Sequence, residues 1–310
     1  MAMLYGHRYS VGERIFRTCN YGFLALIGLA TLYPFWFIIQ ASFSDPTYRI
    51  TMFWPRDFFY RNYWLVFTSE GLGRAYLVTV VRVLVAVPLM LLVTGSTAFA
   101  LTRRELKGRK LIITYYFITM FVSGGLIPFY MLLKTIGLLN TFWVFVFPVM
   151  FNVWTMIVMK TSFQGLPEGL VEAGLIDGAS YGRIFLQIIL PLSLPMITTL
   201  GLFNAVWHWN DWFVGSFYIK DAKLRPLQTF LRFAIFVGGS GMYAQRLGAD
   251  ASRYPERFTE DPRIILQLLK VTPESVKQCY VVLTTVPIII VYPFVQRFFI
   301  KGVLIGSIKG

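Results

Sequence analysis

Long apolar runs without a single charge alternate with short polar ones along the whole chain. Thr18 to Ser44 carries no charged residue, and the same holds for Val83 to Thr102, Leu111 to Leu133, Thr135 to Met159, Ile184 to Trp207 and Gln278 to Gln296. A helix needs about 20 apolar residues to cross a hydrocarbon core about 30 Å thick. The pattern therefore predicts six transmembrane helices over residues 18–41, 76–102, 111–134, 139–160, 184–212 and 278–299. Pro34, Pro88, Pro128, Pro148, Pro191, Pro195, Pro287 and Pro293 fall within or beside these runs. Membrane helices tolerate them because neighbouring groups satisfy the freed carbonyls, and they read either as ordinary kinks or as breaks lining a pathway. Ser123, Gly124 and Gly125 interrupt the third span, exposing backbone to a solute or allowing close helix packing.

Composition agrees with a lipid solvent: of 310 residues, 56% are hydrophobic and 14% charged. The expected architecture is an all-α integral membrane protein with one transmembrane domain over residues 1–310. The basic opening MAMLYGHRYSVGERIFR precedes an apolar run too long for a signal-peptide core, so it reads as the lead-in to a retained first helix. Cys19 and Cys279 fall at opposite faces in this arrangement and are expected to be free thiols.

Charge sets the orientation. Arg8, Arg14, Arg17, Arg103, Arg104, Lys107, Arg109, Lys110, Lys160, Arg183, Arg297, Lys301 and Lys309 flank one set of ends, against Arg49, Arg56, Arg61, Arg74 and Lys134 in the opposite short loops. By the positive-inside tendency both termini are cytoplasmic, and the long loop over 218–277, exempt from the rule by its length, is outside. The net charge of +14 reads as attraction to anionic lipid headgroups rather than to nucleic acid, for which no basic and aromatic module is present.

One polar run stands out, EAGLIDGASYGRIFLQIILP from Glu172 to Pro191, inside a cytoplasmic loop over 163–183. Pro167 and Glu168 suit a helix start, Gly178 a left-handed stop, and Ser180 the cap of a helix re-entering the membrane. Val171, Leu175 and Ala179 recur at four-residue spacing, an apolar ridge for a cytoplasmic partner or for the membrane surface. Periodicity alone leaves both open.

This run resembles the EAA loop of ABC importer permeases, in the form found in the maltose-type carbohydrate uptake family. Glu172, Ala173, Asp177, Gly178, Ala179, Phe185, Ile188, Leu190 and Pro191 are in register, and Gly174 stands where the family usually has a second alanine. FVSGGLIPFYMLLKTIGLLNTFWV, RPLQTFLR and YPFVQRFFIKGVLIGSIKG resemble a branch associated with complex oligosaccharides such as those of alginate or pectin. The resemblance implies a type I ABC importer permease in the inner membrane, with Glu168, Glu172, Ala173, Gly174, Asp177, Gly178 and Ala179 on a coupling helix. It also implies a second homologous permease, two ATPase subunits, an extracytoplasmic solute-binding protein and an oligosaccharide substrate. The sequence has no GxxxxGK[ST] phosphate loop, so ATP and Mg are expected on the partner ATPase and no cofactor on this chain.

Candidate pathway residues are Arg82, Asn152, Trp154, Trp207, Trp209, Asn210, Asp211 and Trp212. Flat aromatic faces match the apolar faces of sugar rings, and Asn and Asp serve hydroxyls; an interfacial aromatic belt would use the same tryptophans. Arg82, charged within a span, is expected to face a cavity, a partner or an acid, or to snorkel outward. His208 reads as a satisfied histidine, since no second His or Cys stands at metal-ligand spacing. Two other classes compete with ATP-driven import: a membrane-embedded glycan enzyme, which needs clustered acids or bases, and an ion-coupled secondary carrier, which buries midplane charge in paired repeats. Neither pattern is evident.

Overall fold

The structure, a computed structural model, describes residues 10–45, 54–55, 58–67, 71–233, 272 and 274–290. Among the described residues the regular secondary structure is helical, with turns and loops between the helices and one isolated bridge between Ser44 and Phe58. Two compact units are distinguishable: Met1–Thr68 with Gly239–Leu283, and Ser69–Gly238 with Thr284–Gly310.

In the first unit, α1 (Val11–Phe43) starts where the Ser10 hydroxyl accepts from the Glu13 amide at 3.2 Å. It exposes apolar side chains along most of its length and buries only Gln40, Ala41 and Ser42, as a helix sheathed in lipid does. A short α2 (Arg61–Phe67) follows. Buried polar groups tie this unit together: Ser42 Oγ meets the Tyr63 hydroxyl at 2.7 Å, and Ser275 Oγ donates to Asn62 Oδ1 at 3.1 Å. Such pairing is what makes polar burial tolerable. Cys279 is buried and Cys19 exposed, both as free thiols.

The second unit is organised on α3 (Leu72–Ala100). After it come α4 (Arg109–Thr119), α5 (Leu126–Thr135), 3-10 turns at Phe142–Phe145 and Phe147–Val149, α6 (Val153–Gln164) and α7 (Gly169–Ile176). Then follow α8 (Tyr181–Ile184), a π-helical turn (Phe185–Ile189), α9 (Leu190–Leu192), α10 (Leu194–Asn210), α11 (Phe213–Tyr218) and α12 (Leu227–Arg232). A last helix, α13, runs over residues 274–290, of which those up to Leu283 belong to the first unit and the rest to the second. The central helix α3 packs against α6 and α10.

Against the predicted spans, α1 and α3 are continuous helices long and apolar enough to cross a membrane, and two further crossings follow if each bent pair counts as one. The pair covering 139–160 bends by 49°, because Pro148 closes a 3-10 turn and Asn152 restarts the helix by accepting from the Thr155 amide at 2.8 Å. The run over 184–212 is not one straight helix: it bends by 85° at Ser193. Pro191 and Pro195 each remove a donor and crowd the preceding turn, and the π turn absorbs the first mismatch by pairing the Leu190 amide with the Phe185 carbonyl. The run over 111–134 divides into α4 and α5 at the Ser123, Gly124, Gly125 break foreseen from sequence, with Gly125 at φ +81°. Of 278–299, the part beyond residue 290 lies outside the described residues, as does most of the 218–277 loop.

Candidate functional site

The stretch expected to form a coupling helix folds as its local sequence suggests, with two changes. Helix α7 begins at Gly169 with Glu168 as its N-cap, so Pro167 stands one position before the cap rather than at the first helical residue. At the other end Gly178 takes φ +77°. Its amide donates to the Leu175 carbonyl at 3.0 Å and the Ala179 amide to the Gly174 carbonyl at 2.9 Å, the paired closure that a left-handed glycine allows. The Ser180 hydroxyl then accepts from the Arg183 amide at 3.4 Å and opens α8.

The apolar ridge is the second change. Val171 is buried and belongs to the unit's own core, whereas Leu175 and Ile176 are 40% and 86% exposed. Gly174 faces inward: a Cβ there would stand 3.0 Å from Ile184 Cγ1 and 3.1 Å from its Cδ1. A glycine thus lets α7 lie close on α8. The outward face carries Glu172, Ala173, Ile176 and Asp177, all exposed, a mixed apolar and acidic surface.

What lies behind α7 gives the site its mechanical sense. Val171 packs in one cluster with Phe99 of α3, Met156, Met159 and Phe163 of α6, Ile184 and Phe185, and Leu200 of α10. Phe99 stacks on Phe185 with centroids 5.6 Å apart, and Phe163 meets Phe185 edge-on at 6.3 Å. Close-packed interiors transmit displacement rather than absorb it. A push on α7 therefore reaches α3, α6 and α10 through buried side chains.

The candidate pathway residues fall into three groups. Arg82 is fully buried and does not snorkel: its guanidinium donates to Asp211 Oδ2 at 2.6 Å and to His208 Nδ1 at 3.1 Å, and its Cζ lies 4.6 Å from the Phe145 ring centroid. His208, accepting at Nδ1, carries its proton on Nε2. Asp211 Oδ1 accepts from the Phe213 amide at 2.9 Å and the Val214 amide at 3.3 Å, so this carboxylate caps α11 as well as pairing with Arg82. Burial raises the Tyr218 phenol above its ordinary range, with the Asp211 carboxylate adding to it.

In a second group the candidates serve the framework. Asn152 is the cap of α6, and its own amide donates to Thr94 Oγ1 at 3.3 Å. The half-buried Trp209 donates its indole N–H to the Thr284 carbonyl at 3.2 Å and lies 6.5 Å from the Tyr76 ring. The third group is open: Trp154, Trp207 and Trp212 are 52%, 49% and 42% exposed, and Asn210 is exposed with its amide on the Val206 carbonyl at 3.0 Å.

Sequence reasoning passed over Phe145, the floor beneath Arg82, and Arg232, whose Cζ stands 4.3 Å from the Trp212 ring. It also passed over Asn140. That residue takes φ +59°, and its Oδ1 accepts from the Lys220 and Asp221 amides at 2.9 and 2.8 Å. Asparagine tolerates the left-handed region, which was the available signal. Among the described residues no group of His, Cys, Asp and Glu is arranged to hold a metal ion.

Comparison with known proteins follows the same lines. A family model described as "Binding-protein-dependent transport system inner membrane component" matches residues 65–247. Protein LplC of Bacillus subtilis (strain 168) is 34% identical over the full length of both chains. The polygalacturonan/rhamnogalacturonan transport system permease protein YtcP of the same organism is 32% identical, covering 96% of this chain and 99% of its own. Among solved structures, a bacterial ABC transporter involved in the import of the acidic polysaccharide alginate has a chain that superimposes with a TM-score of 0.81 at 25% identity. The match covers 94% of this chain and 99% of that one.

Proposed function

The chain belongs to the binding-protein-dependent transport system inner membrane components, and on that premise we propose that its cargo is an oligosaccharide bearing uronate groups. It is a permease subunit of a sugar ABC importer and not an enzyme; the ATPase is a separate partner. The observation that carries the mechanism is the continuous packing from Val171 on α7 through Phe185 to Phe99 on α3 and Leu200 on α10. ATP-driven closure of a partner holding α7 displaces that block, and the solute route formed by the membrane helices opens alternately to each side.

The finer reading has six spans, both termini in the cytoplasm, a second homologous permease, two ATPase subunits carrying ATP and Mg, and a solute-binding protein outside. Its support is the charge asymmetry of the loops and the exposed acidic and apolar face of α7. The acidic cargo is supported by the relatives concerned with polygalacturonan and alginate, and by Lys220, Lys223, Arg225 and Arg232 beyond α10.

The complex in proteoliposomes, with its binding protein, tests the cargo. Uronate oligomers should stimulate ATP hydrolysis and accumulate inside, while neutral oligomers of equal length do neither. Equal stimulation by both would remove the acidic specificity. A cysteine at Ser180 should react with an impermeant thiol reagent only from the cytoplasmic side, and one at Ser252, which lies outside the described residues, only from the other.

A further inference from the structure

Below the end of α3 lies an open pocket with a cavity volume of about 100 Å³, bordered by Phe99, Phe163 and Val171 of the packed block behind α7. Its floor is apolar, with Phe99 and Phe163, and its rim carries Thr102, Arg103, Arg104 and Gln164. The half-buried Arg103 is held in place: Nε donates to Thr102 Oγ1 at 3.0 Å, that hydroxyl donates to the Phe99 carbonyl at 2.6 Å, and Cζ sits 5.2 Å from the Phe99 ring centroid. Among the described residues both terminal nitrogens of its fork are without a hydrogen-bond partner. Neither Arg103 nor Arg104 forms an ion pair among the described residues, although Glu168 shares the lining.

Glu168 is the only acid in the lining. Arg103, Arg104, Lys107, Arg109 and Lys110 stand against Glu105 alone in this segment, and neither terminal stretch, residues 1–9 nor 291–310, contains an Asp or Glu. Arg103 follows the last residue of the apolar helix α3 by three positions, which sets the pair at the level of the headgroups. A guanidinium fork matches the two free oxygens of a phosphate diester, and basic residues at a membrane face attract anionic lipid.

We infer that this pocket binds a phosphate ester, seated there as the headgroup of an anionic membrane lipid between the end of α3 and the start of the coupling helix. A lipid held at that place links the membrane's anionic content to the seating of α7.

Native mass spectrometry of the whole transporter, released from phosphatidylcholine nanodiscs containing graded phosphatidylglycerol, reads this directly. The wild type should retain phosphatidylglycerol saturably. Arg103→Ala with Arg104→Ala should weaken retention about tenfold, and the paired Lys variants should weaken it less, because charge remains while the fork is lost. Lys107→Ala with Lys110→Ala removes the same charge outside the pocket and should leave retention within about twofold. Equal losses from both alanine pairs would overturn the site in favour of a diffuse surface field. Displacement of the lipid by sn-glycerol 3-phosphate at similar concentration would overturn the lipid source and leave a soluble phosphate ester. Loss of the ATPase subunits with lipid retention unchanged would overturn the proposal and make the guanidiniums a seat for a partner's acid. If the alanine pair fails to assemble, the lysine pair measured against Lys107→Ala with Lys110→Ala decides the matter.

Discussion

Arg82 on α3 and Asp211 just past α10 stand 129 residues apart in sequence and meet at 2.6 Å, the arginine side chain fully buried and the aspartate 8% exposed. The inequality of burial predicts an inequality of mutations. Asp211→Asn keeps an acceptor for the Phe213 and Val214 amides but strands a buried cation, a loss of about 3 kcal/mol or more. Arg82→Met strands a carboxylate that can turn toward water, and should cost less. The double variant should be closer to wild type than Asp211→Asn alone. Thermal unfolding of the purified complex checks the order, and strictly additive losses would mean the pair is not coupled.

A second expectation concerns the turn at Gly178. At φ +77° a branched Cβ is strained by about 1–2 kcal/mol, while the space around it is open. Gly178→Val should therefore leave assembly and nucleotide binding intact and shift the exit of α7. Solute-stimulated ATP hydrolysis should fall several-fold with basal hydrolysis retained. Full stimulated hydrolysis and uptake in this variant would remove the turn from the coupling path.

Helix α7, its glycine stop and the Ser180 cap were legible because each depends on local chemistry within a few residues. The long runs of α1 and α3 were legible for the same reason. What escaped was set by partners distant in sequence. Trp209 reads from sequence as a pathway residue because its acceptor, the Thr284 carbonyl, lies 75 residues away; Asn152 is the exception, since its side chain caps α6 through the Thr155 amide only three residues on, a local signal that the expectation of one unbroken span over 139–160 hid. The prolines of the fifth predicted span were visible, but whether Pro191 and Pro195 kink a helix or turn it by 85° depends on how the π turn and α10 pack. Arg82 had an acid among its expected partners, and only the fold selects Asp211.

Gly174 offers a test of the contact between α7 and α8. Its absent Cβ would stand 3.0 Å from a side chain, Ile184, with no exposed surface and little room to yield. Alanine gains up to about 1 kcal/mol of helix propensity against a similar packing cost, so Gly174→Ala should be nearly neutral. Gly174→Leu should lower stimulated hydrolysis strongly, and adding Ile184→Ala should restore part of it. Absence of any rescue would show that the leucine acts elsewhere.

The tryptophans past the bend separate by what they touch. Trp209 is engaged by its indole N–H and by the Tyr76 ring. Trp209→Phe should therefore lower thermal stability, by about 1 kcal/mol for the lost hydrogen bond, and change uptake only in proportion to complex yield. Trp207 and Trp212 keep 49% and 42% of their surface open, and Trp212 has a guanidinium over one face. If they line the route, Trp207→Ala and Trp212→Ala should each reduce uptake of a uronate oligomer several-fold at normal complex yield and normal basal hydrolysis, since a sugar ring loses its stacking surface. If they form an interfacial belt, the aromatic ring matters and not its exposure to solute, so phenylalanine at both positions would support uptake at the wild-type rate for neutral and acidic oligomers alike. Proteoliposome uptake measured beside basal hydrolysis distinguishes the two, because a pathway lesion changes transport per ATP hydrolysed, whereas a belt lesion changes only how much complex reaches the membrane.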